Sequence, residues 1–411
     1  MPLPKKTTSL FYYCLVGLAS LSVLSGVLVR LIALSYPNKA IFDEVYFPVF
    51  AENFLKGVQS FDVHPPLGKF LIALGILVFG NGPLGWRIVP ALFGVGLIAL
   101  FAWLAKTMFK DSVAAWVGLI IISLEGLFIV YSRTGLMDGV LLFFILTTFY
   151  LSLKAKRWRG LLGLAVLFGL TLSLKWLALG LGAPLLYVLW RRGKLLQGLC
   201  LLPVSIAVYL LIVLSGDWLG HVPHAWSAML EWHNQALNYH LHLTATHPWS
   251  STWVSWPFML RPVLFFYETD AANNVRMITA LGNPIFWWAS TLAVIFSAAF
   301  LTVNAVLGSN KERRALLDHP LVPLLIGYFT FYLSWSGIHR VLFIYHYLPA
   351  YAFALLMLVY WLSKAWRRYP ILVLLFLAVG IGVGIYYIPF VTGYPMSVTV
   401  FNHHLWLKSW L

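Results

Sequence analysis

Apolar stretches long enough to cross a lipid bilayer follow one another along almost the whole chain, and most of its charge sits in the short segments between them. A helix needs about 20 apolar residues to traverse the hydrocarbon core. On that rule the expected spans are 10–36, 84–107, 112–131, 137–153, 160–174, 176–190, 198–215, 283–307, 320–336, 345–363 and 370–389. With 61% hydrophobic and 10% charged residues, the sequence predicts an all-α polytopic membrane protein of about eleven helices.

The charges between the spans are not scattered. Lys5/Lys6, Lys106/Lys110, the run from Lys154 to Arg159, Arg191/Arg192/Lys194, Lys311/Arg313/Arg314 and Lys364/Arg367/Arg368 fall on alternate connections. That alternation is the pattern of cytoplasmic loops, placing the N-terminus inside and the C-terminal tail outside. It also accounts for the formal charge of +15 without any nucleic-acid partner, because the basic residues make no single patch. Lys5 and Lys6 before an apolar run resemble the start of a signal peptide. The run continues to Tyr36 without a small-residue cleavage site, so an uncleaved first span is expected. Cys14 and Cys200 both lie in apolar segments and offer neither a disulfide framework nor a CxxC site.

Two outer connections, 37–83 and 216–282, are too long to be hairpins and are rich in His, Trp, Tyr and Pro. Within the first, 70–79 is apolar but too short to span, which predicts a juxtamembrane or re-entrant helix. The expected organisation is a catalytic module over 1–282 and a four-span module over 283–411 with an outer tail.

Most of the thirteen acidic residues fall on or near the outer side, where basic residues are rare. Asp43 and Glu44, in the run FDEVYF, follow the first span directly. A carboxylate in such a partly dehydrated position has a proton affinity suited to general-base work. Two acids that cap a juxtamembrane helix would read the same way, so spacing alone leaves both open. Arg30, Lys69, Arg87, Arg133, Arg261 and Arg340 are basic residues that orientation does not explain. Intramembrane cations are costly and by default have partners or a site to serve. Gathered on one side with carboxylates among them, they describe a cavity for an anion such as a phosphate. The two prolines after His64 hold the HPPLGK run extended, so that His64 and Lys69 project in set directions. The histidines of the second long connection, among them His240, His242 and His247, show no HExxH-type spacing for a metal.

These motifs resemble those of the protein O-mannosyltransferase family, membrane glycosyltransferases of the C-type fold that use a polyprenyl-phosphate sugar. The resemblance rests on FDEVYF at 42–47, FDVHPPLGK at 61–69, SRTGLMD at 132–138, HPWSSTWVSWPFMLRP at 247–262 and FIYHYLPA at 343–350. Trp249 stands where a tyrosine is more usual, and no segment corresponds to the soluble β-trefoil insertion of eukaryotic members, so the likeness is to a compact prokaryotic form. The resemblance implies inverting transfer of a sugar, mannose above all, from a polyprenyl phosphate to Ser or Thr of exported proteins. The reaction would take place on the outer face of a prokaryotic plasma membrane, with no metal or other cofactor required. Asp43 would be the general base, and Glu44 would shape the site or bind sugar or acceptor. Lys69, Arg87 and Arg261 would hold the lipid phosphate, supported by Arg30, His64, Asp138, Arg340, Tyr345 and His346. Transfer of the same sugar to a lipid or envelope glycan, and a flippase for an anionic lipid, are the alternatives.

Overall fold

The computed structural model describes the backbone of residues 5–411 and the side chains from Ser9 onward. The Lys5 and Lys6 side chains, assigned above to the first basic cluster, lie outside that range. The first half comprises α1 (Lys5–Leu31), α2 (Phe47–Lys56), α3 (Leu67–Phe79), α4 (Pro83–Phe109), α5 (Ser112–Ser123), α6 (Gly126–Ser132), α7 (Asp138–Lys154), α8 (Trp158–Leu172), α9 (Gly182–Arg191) and α10 (Leu195–Cys200). The second half holds α11 (Leu202–Leu219), α12 (Ala225–His242), α13 (Pro284–Leu307), α14 (Asn310–Leu316), α15 (Leu321–Leu333), α16 (Leu348–Trp366), α17 (Pro370–Tyr386), α18 (Ile388–Thr392) and α19 (Val398–His404).

Helix occupies every one of the expected spans, but not always as an unbroken rod. Among the described residues, five helices are long and apolar enough to cross a membrane unaided, or seven if two bent pairs are each one span. The remainder are shorter, so length alone supports fewer crossings than the eleven expected. The expected span 112–131 is in fact α5 and α6, bent by 64°. The break has a cause: Glu125, buried between them, accepts the N–H of Leu127 and so starts a new helix, and it also accepts the N–H of Asn283. Arg30 closes the other side. Its guanidinium donates to the carbonyls of Ser123 (2.7 Å) and Ile122 (3.1 Å), which α5 leaves orphaned at its end.

The chain is not purely helical. β1 (Val263–Thr269) and β2 (Asn274–Ala280) form an antiparallel hairpin, pairing Val263 with Ala280 and Thr269 with Val275, and β3 (Met396–Ser397) adds to its outer edge. The all-α expectation missed it because these residues lie inside a long connection. The local signals are nonetheless present: aromatic residues in β1, β-branched residues in both strands, and a turn in which the Asp270 carboxylate accepts the N–H groups of Ala272 and Asn274.

The basic connections meet at one end of the bundle. Arg367 pairs with Asp111, Arg191 with Asp318 (2.8 Å), and Arg192 donates to the Ser152 carbonyl (2.6 Å). The opposite end gathers the C-terminus of α1, the start of α4, the α6–α7 and α8–α9 junctions, α12, the β-hairpin and the start of α16.

Candidate active site

The two adjacent acids of FDEVYF have opposite surroundings. Glu44 is fully buried; its Oε1 accepts from Arg87 Nε (2.7 Å) and the Gly135 N–H (2.7 Å), and its Oε2 accepts from Arg87 Nη2 (2.7 Å) and the Ile41 N–H (3.1 Å). Arg87 also donates to the carbonyls of Leu34 (3.1 Å), Pro37 (2.9 Å) and Lys39 (3.0 Å). All five guanidinium N–H groups are then committed, and none remains for a phosphate. The expectations that Arg87 grips the donor and that Glu44 touches sugar or acceptor give way to a structural reading. The pair staples α4 to the segment after α1 and to the α6–α7 junction, and so builds the platform on which Asp43 stands.

Asp43 is turned the other way. Phe42 adopts a left-handed backbone (φ +50°), uncommon for a bulky residue. Its ring is held by stacking on Phe265 (4.3 Å between centroids) and by the edges of His247, Phe343 and Tyr345. The Asp43 carboxylate is part-buried and, among the described residues, has no hydrogen-bond partner. Burial raises its pKa to about 6; nearby Lys175 opposes the rise, and Asp138 and Asp62 reinforce it.

Lys175 was not singled out from the sequence. It ends the α8 segment in LSLKW and donates to both carboxylate oxygens of Asp138 (2.8 and 3.0 Å), with its Nζ 5.9 Å from the centre of the Tyr345 ring. The signal was available: the connection between two short apolar runs carries a lysine on the side where cations are rare. Asp138 thus has an identified partner and reaches Asp43 through the field of that pair.

Arg340 is the other cation of interest. It is part-buried in the segment before α16 and, among the described residues, makes neither a hydrogen bond nor an ion pair. Burial holds its guanidinium below the usual range, while the hydroxyls of Tyr345 and Tyr239 act the other way. His64 lies beside His240 (5.7 Å between centroids) and stacks on Phe47 (6.4 Å). Burial, with Lys175, Lys69, His240 and Arg340 around it, keeps its imidazole well below its ordinary pKa and therefore neutral. His346 is packed between Tyr345 and Trp335 (4.4 and 4.2 Å), with Nδ1 at 3.0 Å from the backbone of Phe343.

The remaining expectations divide. Lys69 is buried and donates to the Asp62 carboxylate and the His64 carbonyl, both at 2.5 Å. It holds the HPP loop in shape and does not stand open to an anion. Arg30 is a helix cap at the α5–α6 break, too deep and too committed for a donor contact. Arg133 is occupied likewise by the carbonyls of Val29, Ile32 and Ala33 at the end of α1. Arg261 donates to the Pro248 carbonyl (3.1 and 2.7 Å) under Trp249, bracing the loop whose His247 touches Phe42. Asp43, Lys175, Asp138, Arg340, Tyr345, His64 and His346 are the groups the fold brings together.

Comparisons with known proteins agree along the chain. Residues 20–86 and 63–218 match family descriptions of dolichyl-phosphate-mannose-protein mannosyltransferase, and residues 225–410 match the C-terminal four-transmembrane region of protein O-mannosyltransferase. The chain is 26% identical to a polyprenol-phosphate-mannose–protein mannosyltransferase of Mycobacterium tuberculosis, over 85% of this chain and 81% of that one. It is 24% identical to the protein of the same name from Corynebacterium glutamicum, over 85% and 81%. Among solved structures it superposes on a chain of the S. cerevisiae protein O-mannosyltransferase Pmt1-Pmt2 complex bound to the sugar donor, with a TM-score of 0.85 at 17% identity over 96% of this chain and 92% of that one. It is also similar to ArnT from Cupriavidus metallidurans, with a TM-score of 0.61 at 13% identity over 92% and 77%. The fold is that of the C-type membrane glycosyltransferases, and the chain belongs to the protein O-mannosyltransferase family.

Proposed function

We propose that this protein transfers mannose from a polyprenyl phosphate to Ser or Thr hydroxyls of exported proteins, with inversion, at the outer face of the cytoplasmic membrane. The observation that carries the reading is a carboxylate that, among the described residues, has no hydrogen-bond partner: Asp43 lies in the field of Lys175 and shares the neighbour Tyr345 with Arg340, a cation likewise without a partner among those residues.

The acceptor hydroxyl oxygen attacks the anomeric carbon as its proton passes to an oxygen of Asp43. The bond from that carbon to the phosphate oxygen breaks, and its electron pair leaves with the lipid phosphate. A half-dehydrated carboxylate with a pKa near 6 is ionised at neutral pH yet basic enough to accept that proton. Arg340 and Lys175 offset the charge that grows on the leaving phosphate; Lys175 is already held by Asp138, and Arg340 keeps its donors free for the phosphate oxygens. Neutral His64 contributes a hydrogen-bonding edge without adding charge. Arg340 takes the phosphate-gripping role expected of Arg87, while Arg87 and Glu44 keep Asp43 in register. A flippase for an anionic lipid would account for the guanidinium but assigns the unpartnered carboxylate no task.

The decisive assay supplies the purified protein in lipid vesicles with labelled polyprenyl-phosphate mannose and a Ser/Thr peptide. Label on the peptide hydroxyl in the inverted configuration is expected. Label appearing only in lipid would remove the protein acceptor, and donor movement without transfer would favour the flippase.

A further inference from the structure

A cavity of about 210 Å³ opens beside the HPP loop between α2, α3, α11 and α12. It has room for roughly seven waters' worth of liquid volume, the scale of one side chain or one small ring. His64 forms part of its wall, and the same imidazole lies in the fields of Lys175 and Arg340; the cavity therefore adjoins the reaction centre across one histidine.

Its lining is chemically unlike the donor side. Phe50, Phe54, Phe61 and Trp232 supply aromatic surface. The indole N–H of Trp232 is spent on the Asp62 carbonyl (2.6 Å), so what this residue offers the cavity is its ring. Three carboxyl groups also line it, Asp62, Asp217 and Glu231, with Lys69 as its one lysine or arginine. Lys69 neutralises Asp62 at 2.5 Å, whereas among the described residues the other two make no ion pair. Among the described residues, Asp217 Oδ2 is buried with no hydrogen-bond partner, and Glu231 accepts only the side-chain amide of Gln235 (2.9 Å). Aromatic faces combined with uncompensated carboxylates suit a cation, through the ring quadrupole and direct charge pairing together. The same charge repels a lipid phosphate, so this is not a donor subsite.

We propose that this cavity receives a Lys or Arg side chain of the acceptor polypeptide, a few residues from the hydroxyl that takes the sugar. The inference rests on the reading of Asp43 as the base for a protein acceptor. An extended chain advances about 3.3–3.6 Å per residue, so a flanking side chain reaches past His64 while the hydroxyl stays at Asp43. The site then selects substrates by charge as well as by the presence of Ser or Thr.

The test compares matched Ser peptides carrying Lys, norleucine or Glu at each flanking position, using the vesicle-borne protein and labelled polyprenyl-phosphate mannose. At one or more positions, kcat/KM for the Lys peptide should exceed that for the norleucine peptide by about fivefold to tenfold, with the Glu peptide lowest. In D217N/E231Q the Lys and norleucine peptides should become equal. E231K, changed at an exposed position of α12, should turn the preference toward Glu, which keeps the test alive if Asp217 is needed for folding. Equal rates for all three peptides, a preference that survives in the variants, or a preference for a mannosylated peptide over a basic one would overturn the proposal. Transfer to no peptide at all would instead remove the function on which it rests.

Discussion

The two ends of the helix bundle handle charge in opposite ways. At the basic end, each pair keeps at least one partner largely in water: Arg367 is 69% exposed in its 3.8 Å contact with Asp111, and Asp318 is 68% exposed opposite Arg191. At the site end, Arg87 and Glu44 meet at 2.7 Å with no exposure on either side chain. Charges at the first end act through their number and their side of the bundle. Those at the second act through individual hydrogen bonds, which saturate Arg87 and leave Arg340 without a partner among the described residues. A cation with every donor used supports the structure; one with donors to spare can serve chemistry.

That contrast predicts a graded set of responses. The largest belongs to Asp43, whose conversion to Asn removes the proton acceptor. The transfer rate should fall by about 10²–10⁴-fold with donor binding retained, read as initial rates of peptide mannosylation beside donor binding. Next comes Arg87→Met, which strands the Glu44 carboxylate in the interior. A loss of roughly 3–5 kcal/mol is expected, visible as a lower thermal inactivation temperature in detergent. Adding Glu44→Gln should recover part of it, whereas an intact fold with weakened donor affinity would return Arg87 to the phosphate.

Arg340→Ala should do what Arg87 substitution does not. Removal of one charged hydrogen-bonding group predicts a rise in donor Kd of about 10- to 100-fold with thermal stability unchanged. A pH profile separates Lys175 from a merely structural cation. Asp43 works as a base only when ionised, so kcat/KM should climb with pH through about 6 and level off above it. Lys175 holds that proton affinity down, so Lys175→Met should move the midpoint upward and lower the rate several-fold near neutral pH. An unmoved midpoint would remove Lys175 from the site. The smallest effect belongs to the basic end: Arg191→Ala should change stability by about 0–1 kcal/mol, since its partner is mostly in water.

Much of this molecule was legible before any coordinates. The apolar runs located the helices, and FDEVYF and HPPLGK supplied Asp43 and His64 of the candidate site. The misreadings share a cause. Arg30, Arg87 and Arg133 look in sequence like Arg340, because an unexplained cation near the lipid boundary is visible there and its partners are not. The carbonyls that occupy Arg87 belong to residues about fifty positions away, and those on Arg133 to residues about a hundred away. Lys175 was passed over because it resembled an ordinary hairpin lysine until the fold set Asp138, 37 residues earlier, against it. The β-hairpin was missed differently: its signals are local, but helical hydropathy dominated the reading of everything around it.

The sequence by itself determined where the apolar helices lie and that the basic clusters fall on the connections between them. Those properties follow from transfer free energies summed residue by residue, and such sums need no knowledge of contacts. Tertiary structure alone decided which acid of the Asp43–Glu44 pair is saturated and which cation keeps its donors free. Hydrogen-bond satisfaction is a property of groups brought together from distant parts of the chain, and two adjacent carboxylates carry no record of which of them will meet Arg87.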